Sequence, residues 1–406
     1  MAEAGFSTKP LRLLVVGMGE ESITFLDRLI NGLAGKSIEI ILASPRKPQP
    51  GRFSPSEWVR WLWAPDWDTS FANRLFYLLR LLGSSLFAPG NRWLKQEVKS
   101  KPTPREKLIT LYQLLPFTRI SADIIYFPWN TTAITYEALY RLGIPVVLSC
   151  RGSQINIRPH TTNDNVYARR LRDSLENAAV VHCVSGAIKT EALQLGLPPE
   201  NGTVIHPSVD PDFFCPAVMN KTRQRLLIIT TGSLIWRKGY EYALLAIRHL
   251  VDYGVDCEFQ IIGGGPEKTR LLYTIQDLGL EQHVSLLGAL PPAEVVKRLQ
   301  AADIFLLSSL SEGVSNAVLE AMSCALAVVT TNCGGMREAV TDGVEGFVVP
   351  LRDPAAMAEK LLLLARSPSA RAQMGAAGRE RVLKDFNLRY QINAFHLLFT
   401  TLADRK

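Results

Sequence analysis

The chain has 406 residues, 47% of them hydrophobic and 20% charged, with a formal net charge of +7. That composition excludes a disordered or low-complexity protein, and no apolar run approaches the roughly 18 residues that cross a bilayer. At roughly 100–200 residues per domain, two domains are expected.

The opening MAEAGFSTKPLRLLVVGMG reads as the start of a folded domain rather than a signal peptide. Its run LLVVG is short and leads into GMGEES instead of a small-residue cleavage site. A first series of apolar, β-rich runs follows: LRLLVVG (11–17), IEIILA (38–43), ADIIYFP (122–128), PVVLSC (145–150), AAVVHCVS (178–185) and GTVIHP (202–207). The second series is RLLIITTG (225–232), CEFQIIGG (257–264), VSLLGA (284–289), DIFLLSS (303–309), LAVVTTN (326–332) and GFVVP (346–350). Near-continuous apolar runs belong to strands buried on both faces, hence to parallel sheets covered by helices. Two such series exceed one compact sheet, so the expected fold is α/β: two Rossmann-like, doubly wound parallel-sheet domains facing a cleft.

The first domain is expected over 1–205, a linker with Pro207, Pro211 and Pro216 over 206–222, the second domain over 223–380, and a C-terminal helix over 381–406 packing back on the first domain. Residues 46–110 break the βαβ rhythm and read as helices and loops inserted after the second strand. Between Arg46 and Lys107 lie twelve Lys and Arg against five Asp and Glu, together with Trp58, Trp61, Trp63, Trp67 and Trp93. Basic residues mixed with tryptophan suit an anionic membrane surface, or equally a solvated helical face over aromatic core residues. No nucleic-acid motif accompanies the charge, so nucleic acid is not expected as a partner.

The six cysteines form no CxxC pair and read as buried thiols in a reducing compartment. Neither the histidines, which lack HxxxH or HExxH spacing, nor Asp66-Trp67-Asp68 and Asp210-Pro211-Asp212, which do not cap apolar strands, point to a metal. No metal and no cofactor are expected.

Ligands of open α/β sheets bind beyond the carboxyl ends of strands, and the motifs fall there. In RLLIITTGSLIWRKGYEYALLAI, a strand meets a turn holding Gly232, Ser233 and Gly239. Arg237 and Lys238 then precede a helix, an arrangement that suits a diphosphate. QIIGGGPEKTRLL repeats strand, glycines and helix: Gly263 allows close approach to a ligand or simply a tight turn, and Pro266 stands at or near the first helical position. In SEGVSNAVLEAM (311–322), Glu312 and Gly313 lie on a loop after a strand. A helix then starts that Ser315 or Asn316 caps, and Glu320 sits one turn inside it, in apolar and therefore buried surroundings that call for hydrogen-bond donors such as sugar hydroxyls.

These residues resemble the retaining family-4 glycosyltransferases of the two-Rossmann GT-B fold, in the form found in bacterial cell-surface polysaccharide and glycolipid synthesis. SEGVSNAVLEAM is similar to that family's two glutamates spaced eight apart. The likeness continues through ALAVVTTNCGGMREAVTDGVEGFVVPLRD and upstream through IIGGGPEKTRLL to VIHPSVDPDFF and VVHCVSGAIKTEALQLG, covering about 178–353. It implies a nucleotide diphosphate sugar as donor substrate. Lys238 would meet the diphosphate, Glu320 the ribose, Glu312 the donor sugar, backbone near Gly288 the base, and backbone amides from Val314 through Ser315 and Asn316 to Ala317 the phosphates and sugar. Two departures stand out. The family's arginine five positions before the lysine is Ser233 here, with Arg237 in compensation. Its first-domain His-Gly pair is Arg151-Gly152 in SCRGSQI, and an arginine is no base at ordinary pH. Glu21, Ser22 and Thr24 in GMGEESITF resemble an acceptor-side loop.

The implied reaction is transfer of a hexose to a hydroxyl of a glycan, glycolipid or small molecule, with retention and without metal, in the cytoplasm or at the inner membrane face. A non-catalytic nucleotide-sugar-binding subunit, a GT-B epimerase or phosphorylase, and a two-carboxylate glycosidase are the competing readings.

Overall fold

The computed structural model describes residues 10–18, 24–36, 38–64, 89–161, 165–217 and 225–405. Glu21, Ser22, the side chain of Thr24 and the Asp66-Trp67-Asp68 triplet lie outside them. The chain divides into two compact units. One holds the described residues up to Cys183 with Glu191–Thr203 and those from Ile392 on; the other holds Val184–Thr190 and Val204–Gln391.

The first unit is built on seven strands: β1 (Arg12–Val16), β2 (Glu39–Ser44), β3 (Val59–Trp63), β4 (Ile124–Phe127), β5 (Val146–Cys150), β6 (Val180–Cys183) and β7 (Gly202–Val204). Their order is β3-β2-β1-β4-β5-β6-β7, and the pairings from β3 through β6 are all parallel. The runs RLLVV, IIYF and VVLSC are buried almost throughout, as parallel strands covered on both faces must be. A polar chain crosses this interior: the Tyr126 hydroxyl lies 2.9 Å from Ser149 Oγ, which lies 2.7 Å from His182 Nδ1. Phe395 and Phe399 of the helix Leu388–Ala403 pack on it, 4.7 Å from the His182 ring and 5.5 Å from the Tyr126 ring between centroids.

Segment 46–110 departs from the expectation of helices and loops alone. VRWLW forms the edge strand β3, in register with β2 from Ile40↔Val59 to Ser44↔Trp63. Valine and tryptophan favour the pleated surface. The strand is fastened by its polar groups: the Trp61 indole N–H donates to Ser44 Oγ at 3.1 Å, and Arg60 pairs with Glu39 at 2.7 Å. Further on, Trp93 donates to the Ala138 carbonyl at 3.2 Å. The helix Pro104–Leu114 starts with a reciprocal box, Glu106 N–H to Thr103 Oγ1 and Thr103 N–H to Glu106 Oε2.

The second unit carries β8 (Leu226–Thr231), β9 (Cys257–Ile262), β10 (Val284–Gly288), β11 (Ile304–Leu307), β12 (Ala327–Thr331) and β13 (Gly346–Val349). Their order is β10-β9-β8-β11-β12-β13, all pairings parallel. Separate apolar layers cover the two faces, one around Phe305, Leu319 and Met322, the other around Leu244, Ile247 and Met357. Five of the six cysteines are buried free thiols and Cys215 is half-buried. Burial pushes the Cys257 thiol up to about 11, which leaves it unreactive at ordinary pH. Among the described residues no helix is long and apolar enough to cross a membrane.

Candidate functional site

In the second unit the chain runs outward from β8 in two directions, to β9 and β10 on one side and to β11, β12 and β13 on the other. The topological switch point therefore lies between β8 and β11, where open α/β sheets take their ligands. The loop after β8 carries Lys238 and the loop after β11 carries Glu312. Lys238 Nζ and Glu312 Oε1 are 2.6 Å apart, with side chains only 13% and 12% exposed.

Each loop is held by contacts that a sequence does not display. Lys238 ends a short 3-10 turn, Trp236–Lys238, followed by Gly239 at φ +60. A Cβ on Gly239 would lie 2.4 Å from the Ser308 carbonyl oxygen, so only glycine fits. The Ser308 hydroxyl donates to the Lys238 carbonyl at 2.9 Å, and the Leu310 N–H donates to the Arg237 carbonyl at 2.7 Å. Gly232 lies against Lys238, since a Cβ there would sit 3.4 Å from Nζ. Tyr240, whose hydroxyl donates to the Gly232 carbonyl at 3.0 Å, is kept protonated: burial pushes its phenol well up, and the Glu312 charge adds to that.

Glu312 Oε1 also accepts from the Ser309 hydroxyl at 2.9 Å. Ser309 is fully buried and its own carbonyl accepts from Thr331 Oγ1 at 2.5 Å. The loop after β12 closes on the same place. The Gly335 N–H donates to the Gly313 carbonyl at 2.6 Å, and a Cβ on Gly334, at φ +52, would lie 1.9 Å from the Glu312 carbonyl oxygen. Burial pushes the neighbouring Cys333 thiol up to about 12. Ser308, Ser309, Tyr240, Thr331 and the Gly334-Gly335 pair are thus parts of the site that sequence reading missed. The only signal was position: the serines, Thr331 and the glycines stand at strand ends, in DIFLLSS and VVTTNCGG, and Tyr240 at a helix start directly after Gly239.

The helix Asn316–Ser323 follows, with Ser315 as its N-cap. Contrary to the expected cap, no side chain accepts from the first turn, and the Ser315 N–H points instead at Met336 Sδ, 3.4 Å away. The helix starts against a sulfur rather than closing on its own hydroxyl, which leaves the first-turn N–H groups without a side-chain cap. Val318, Leu319, Ala321 and Met322 are buried, whereas Asn316, Ala317 and Glu320 are half-buried and share one face at i, i+1, i+4 spacing. Glu320 is therefore not enclosed as its apolar neighbours suggested; the 3.6-residue period turns it out of the core. Asn316 Oδ1 is buried with no partner among the described residues.

Gly263, at φ +151, donates to the Gly288 carbonyl at 2.8 Å, and its Cβ would lie 1.8 Å from the Gly232 carbonyl oxygen. Its demonstrable role is the close approach of two strand-end loops. Gly288, at φ +72, has open space where a Cβ would be. Ser233 is exposed and Arg237 half-buried. Pro266 precedes Glu267, the N-cap of the helix Lys268–Asp277, and so stands outside that helix rather than at its first position. Asp210 of the Asp-Pro-Asp triplet accepts the N–H groups of Asp212 and Phe213 at 3.1 and 3.3 Å and so caps a turn.

At the edge of this unit, Glu338 accepts the N–H groups of Gly186 and Ala187, at 2.9 and 3.1 Å, and lies 2.8 Å from His206 Nε2. Burial opposes its charge, but the two N–H groups and His206 prevail and hold the carboxyl below its usual range. Arg151 and Gly152 belong to the first unit, directly after β5; Gly152 has φ +44.

Residues 216–381 match the family described as Glycosyl transferases group 1, and residues 23–208 the Glycosyl transferase 4-like domain. The putative colanic acid biosynthesis glycosyltransferase WcaL of Salmonella typhimurium is 33% identical over 276 residues, which are 66% of this chain and 67% of that protein. The amylovoran biosynthesis glycosyltransferase AmsK of Erwinia amylovora is 33% identical over 218 residues, 52% of either chain. Among solved structures, sucrose-phosphate synthase from Thermosynechococcus elongatus superposes with a TM-score of 0.75 at 17% identity, covering 98% of this chain and 100% of that one. HepE of Anabaena, crystallised in complex with UDP, superposes with a TM-score of 0.72 at 16% identity, covering 96% and 100%. At such identities the superpositions speak for the fold.

Proposed function

The chain belongs to the family-4 glycosyltransferases of the GT-B fold, and on that premise we propose that it transfers a hexose, with retention and without a metal ion, from a nucleotide diphosphate sugar to an acceptor hydroxyl. The observation that carries this reading is the Lys238–Glu312 pair, half-enclosed at the switch point of the second sheet. A diphosphate placed there meets Lys238, the half-buried Arg237 and the uncapped first turn of the helix Asn316–Ser323. Glu312, oriented by Ser309, faces the donor sugar. Glu320, on the same helical face as Asn316, faces the ribose. In the step, the bond from C1 of the sugar to the diphosphate oxygen breaks. A bond from C1 to the acceptor oxygen forms on the same face, and the acceptor proton passes to the departing diphosphate. The protein supplies charge and position rather than a base.

A panel of nucleotide sugars, scored first by thermal shift and then by turnover, tests the proposal. Donor-dependent stabilisation and glycosyl transfer are expected, with kcat/KM collapsing in Lys238→Ala. Unchanged kcat/KM in that variant refutes the assignment, and stabilisation without turnover over a broad acceptor range supports a non-catalytic binding subunit instead. Arg92, Lys95, Lys99, Arg105 and Lys107 are exposed on the helices Asn91–Lys99 and Pro104–Leu114. They support contact with an anionic membrane at its cytoplasmic face, which would bring the enzyme to a lipid-borne acceptor. Co-sedimentation with anionic liposomes that weakens as salt rises is the expected result.

A further inference from the structure

We propose that Arg151 is a binding residue for an oxyanion carried by the acceptor, so that the substrate is an anionic saccharide or glycolipid rather than a neutral sugar; this rests on the transferase reading above. In the first unit β1 lies between β2 and β4, so its switch point is at β1/β4. Three segments following the carboxyl ends of neighbouring strands meet there. Phe25 is the second residue of the helix Thr24–Ala34 after β1, Trp129 comes two residues after β4, and Arg151 directly follows β5. The guanidinium carbon of Arg151 lies 4.7 Å from the centre of the Phe25 ring and 5.9 Å from that of Trp129. The two rings meet edge to face at 5.8 Å. Aromatic faces hold a guanidinium by its plane and leave its N–H edge to bind something else.

Nothing described in the protein takes that edge. Arg151 Nε is buried without a hydrogen-bond partner, and no carboxylate forms an ion pair with the side chain among the described residues. Arginines elsewhere in the same unit are paired, Arg52 with Asp27, Arg141 with Glu97 and Arg170 with Glu137. The loop that carries Arg151 is also fixed. Asn130 Nδ2 and the Tyr167 hydroxyl both donate to the Gln154 carbonyl, at 3.0 and 2.8 Å, and Gly152 adopts a φ of +44. A guanidinium on a fixed loop beyond the carboxyl ends of the switch-point strands, unpaired among the described residues, matches the planar, two-pronged recognition of phosphate or carboxylate.

The test measures binding of glucose, glucose 6-phosphate and glucuronate by NMR titration, with UDP and GDP at saturation to keep anions off the second unit. Either anion should bind at least about tenfold more tightly than glucose, and Arg151→Gln should abolish that preference, the size expected of one charge-assisted, two-pronged contact. Arg151→Lys, which keeps the charge without the fork, should fall between. Nucleotide-dependent thermal stabilisation reports whether each variant is folded, and Arg151→Lys keeps the comparison decidable if Arg151→Gln is not. Equal binding of all three probes, or an anion preference that survives in Arg151→Gln, overturns the proposal. Transfer to neutral acceptors with no anion preference would sink it while leaving the transferase reading intact. Arg151-dependent anion binding with no transfer from any donor would do the reverse. Separate arms for phosphate and carboxylate identify which oxyanion is meant.

Discussion

Replacing Lys238 with methionine keeps most of the length of the side chain and removes its charge. Glu312, 9% exposed as a residue, would keep Ser309 at 2.9 Å and lose the ammonium at 2.6 Å. Breaking a fully buried ion pair from one side costs about 3–5 kcal/mol. Slight exposure of both side chains and the retained Ser309 donor reduce this to about 2–3 kcal/mol. For a unit the size of the second one, each kcal/mol moves the melting temperature by roughly 2–4 °C, so a fall of about 4–12 °C is expected. Adding Glu312→Gln removes the stranded charge and should recover at least about 1 kcal/mol. Activity should not follow. Loss of one charge-stabilising group lowers kcat by roughly 10²–10³, and the double variant should stay as low as the single one. Thermal melts of the four proteins of the cycle, with kcat/KM on the best donor, separate the two effects. If Lys238→Met melts with the wild type, or if the coupling between the two positions falls within about 0.5 kcal/mol, the scatter of independent sites, the pair is not what holds these loops together.

Ser309→Ala removes the second donor to Glu312 Oε1 and should lower kcat/KM roughly tenfold; the loss should appear in kcat more than in KM if the hydroxyl acts by aiming the carboxylate. Glu320→Gln should weaken the nucleoside diphosphate by roughly tenfold, read as a smaller thermal shift at fixed ligand concentration, with the free protein's melting little changed because the side chain stands on the half-buried face. Glu338→Gln tests the contact to Gly186, Ala187 and His206. Because the folded carboxyl is held below its ordinary value, its stabilisation is present above the unfolded pKa of about 4.3 and fades as pH falls through the lower folded value. The melting difference between wild type and variant should therefore be widest near neutrality and close in acid.

Lys238 and Glu312 could be placed from sequence because two rules converge on them: buried parallel strands read as continuous apolar runs, and ligand groups follow the carboxyl ends of such strands. The same rules do not reach Ser309, Thr331 or Gly334. Each acts through a backbone or hydroxyl contact made between loops after β8, β11 and β12, and small residues carry no local pattern that announces such a contact. β3 escaped for another reason. An edge strand buries little, so Arg60 and the tryptophans around it look like an insertion until Ser44 and Glu39 are seen beside them. Glu320 shows a third limit, since apolar neighbours mark a helix as buried without saying which face a single residue takes. The Ser315 cap is a further miss: the residue stands at the N-cap position, but its hydroxyl accepts no first-turn N–H, which residue type alone does not reveal.

The lysine–glutamate contact has an entropic side as well. A free lysine side chain carries about 2 kcal/mol of rotamer entropy. Against Glu312, with Gly232 at its flank, Lys238 has given up that freedom when the chain folds. If the donor's diphosphate binds as proposed, it would meet a cation already standing in one place, so that little ordering would remain to be done on binding.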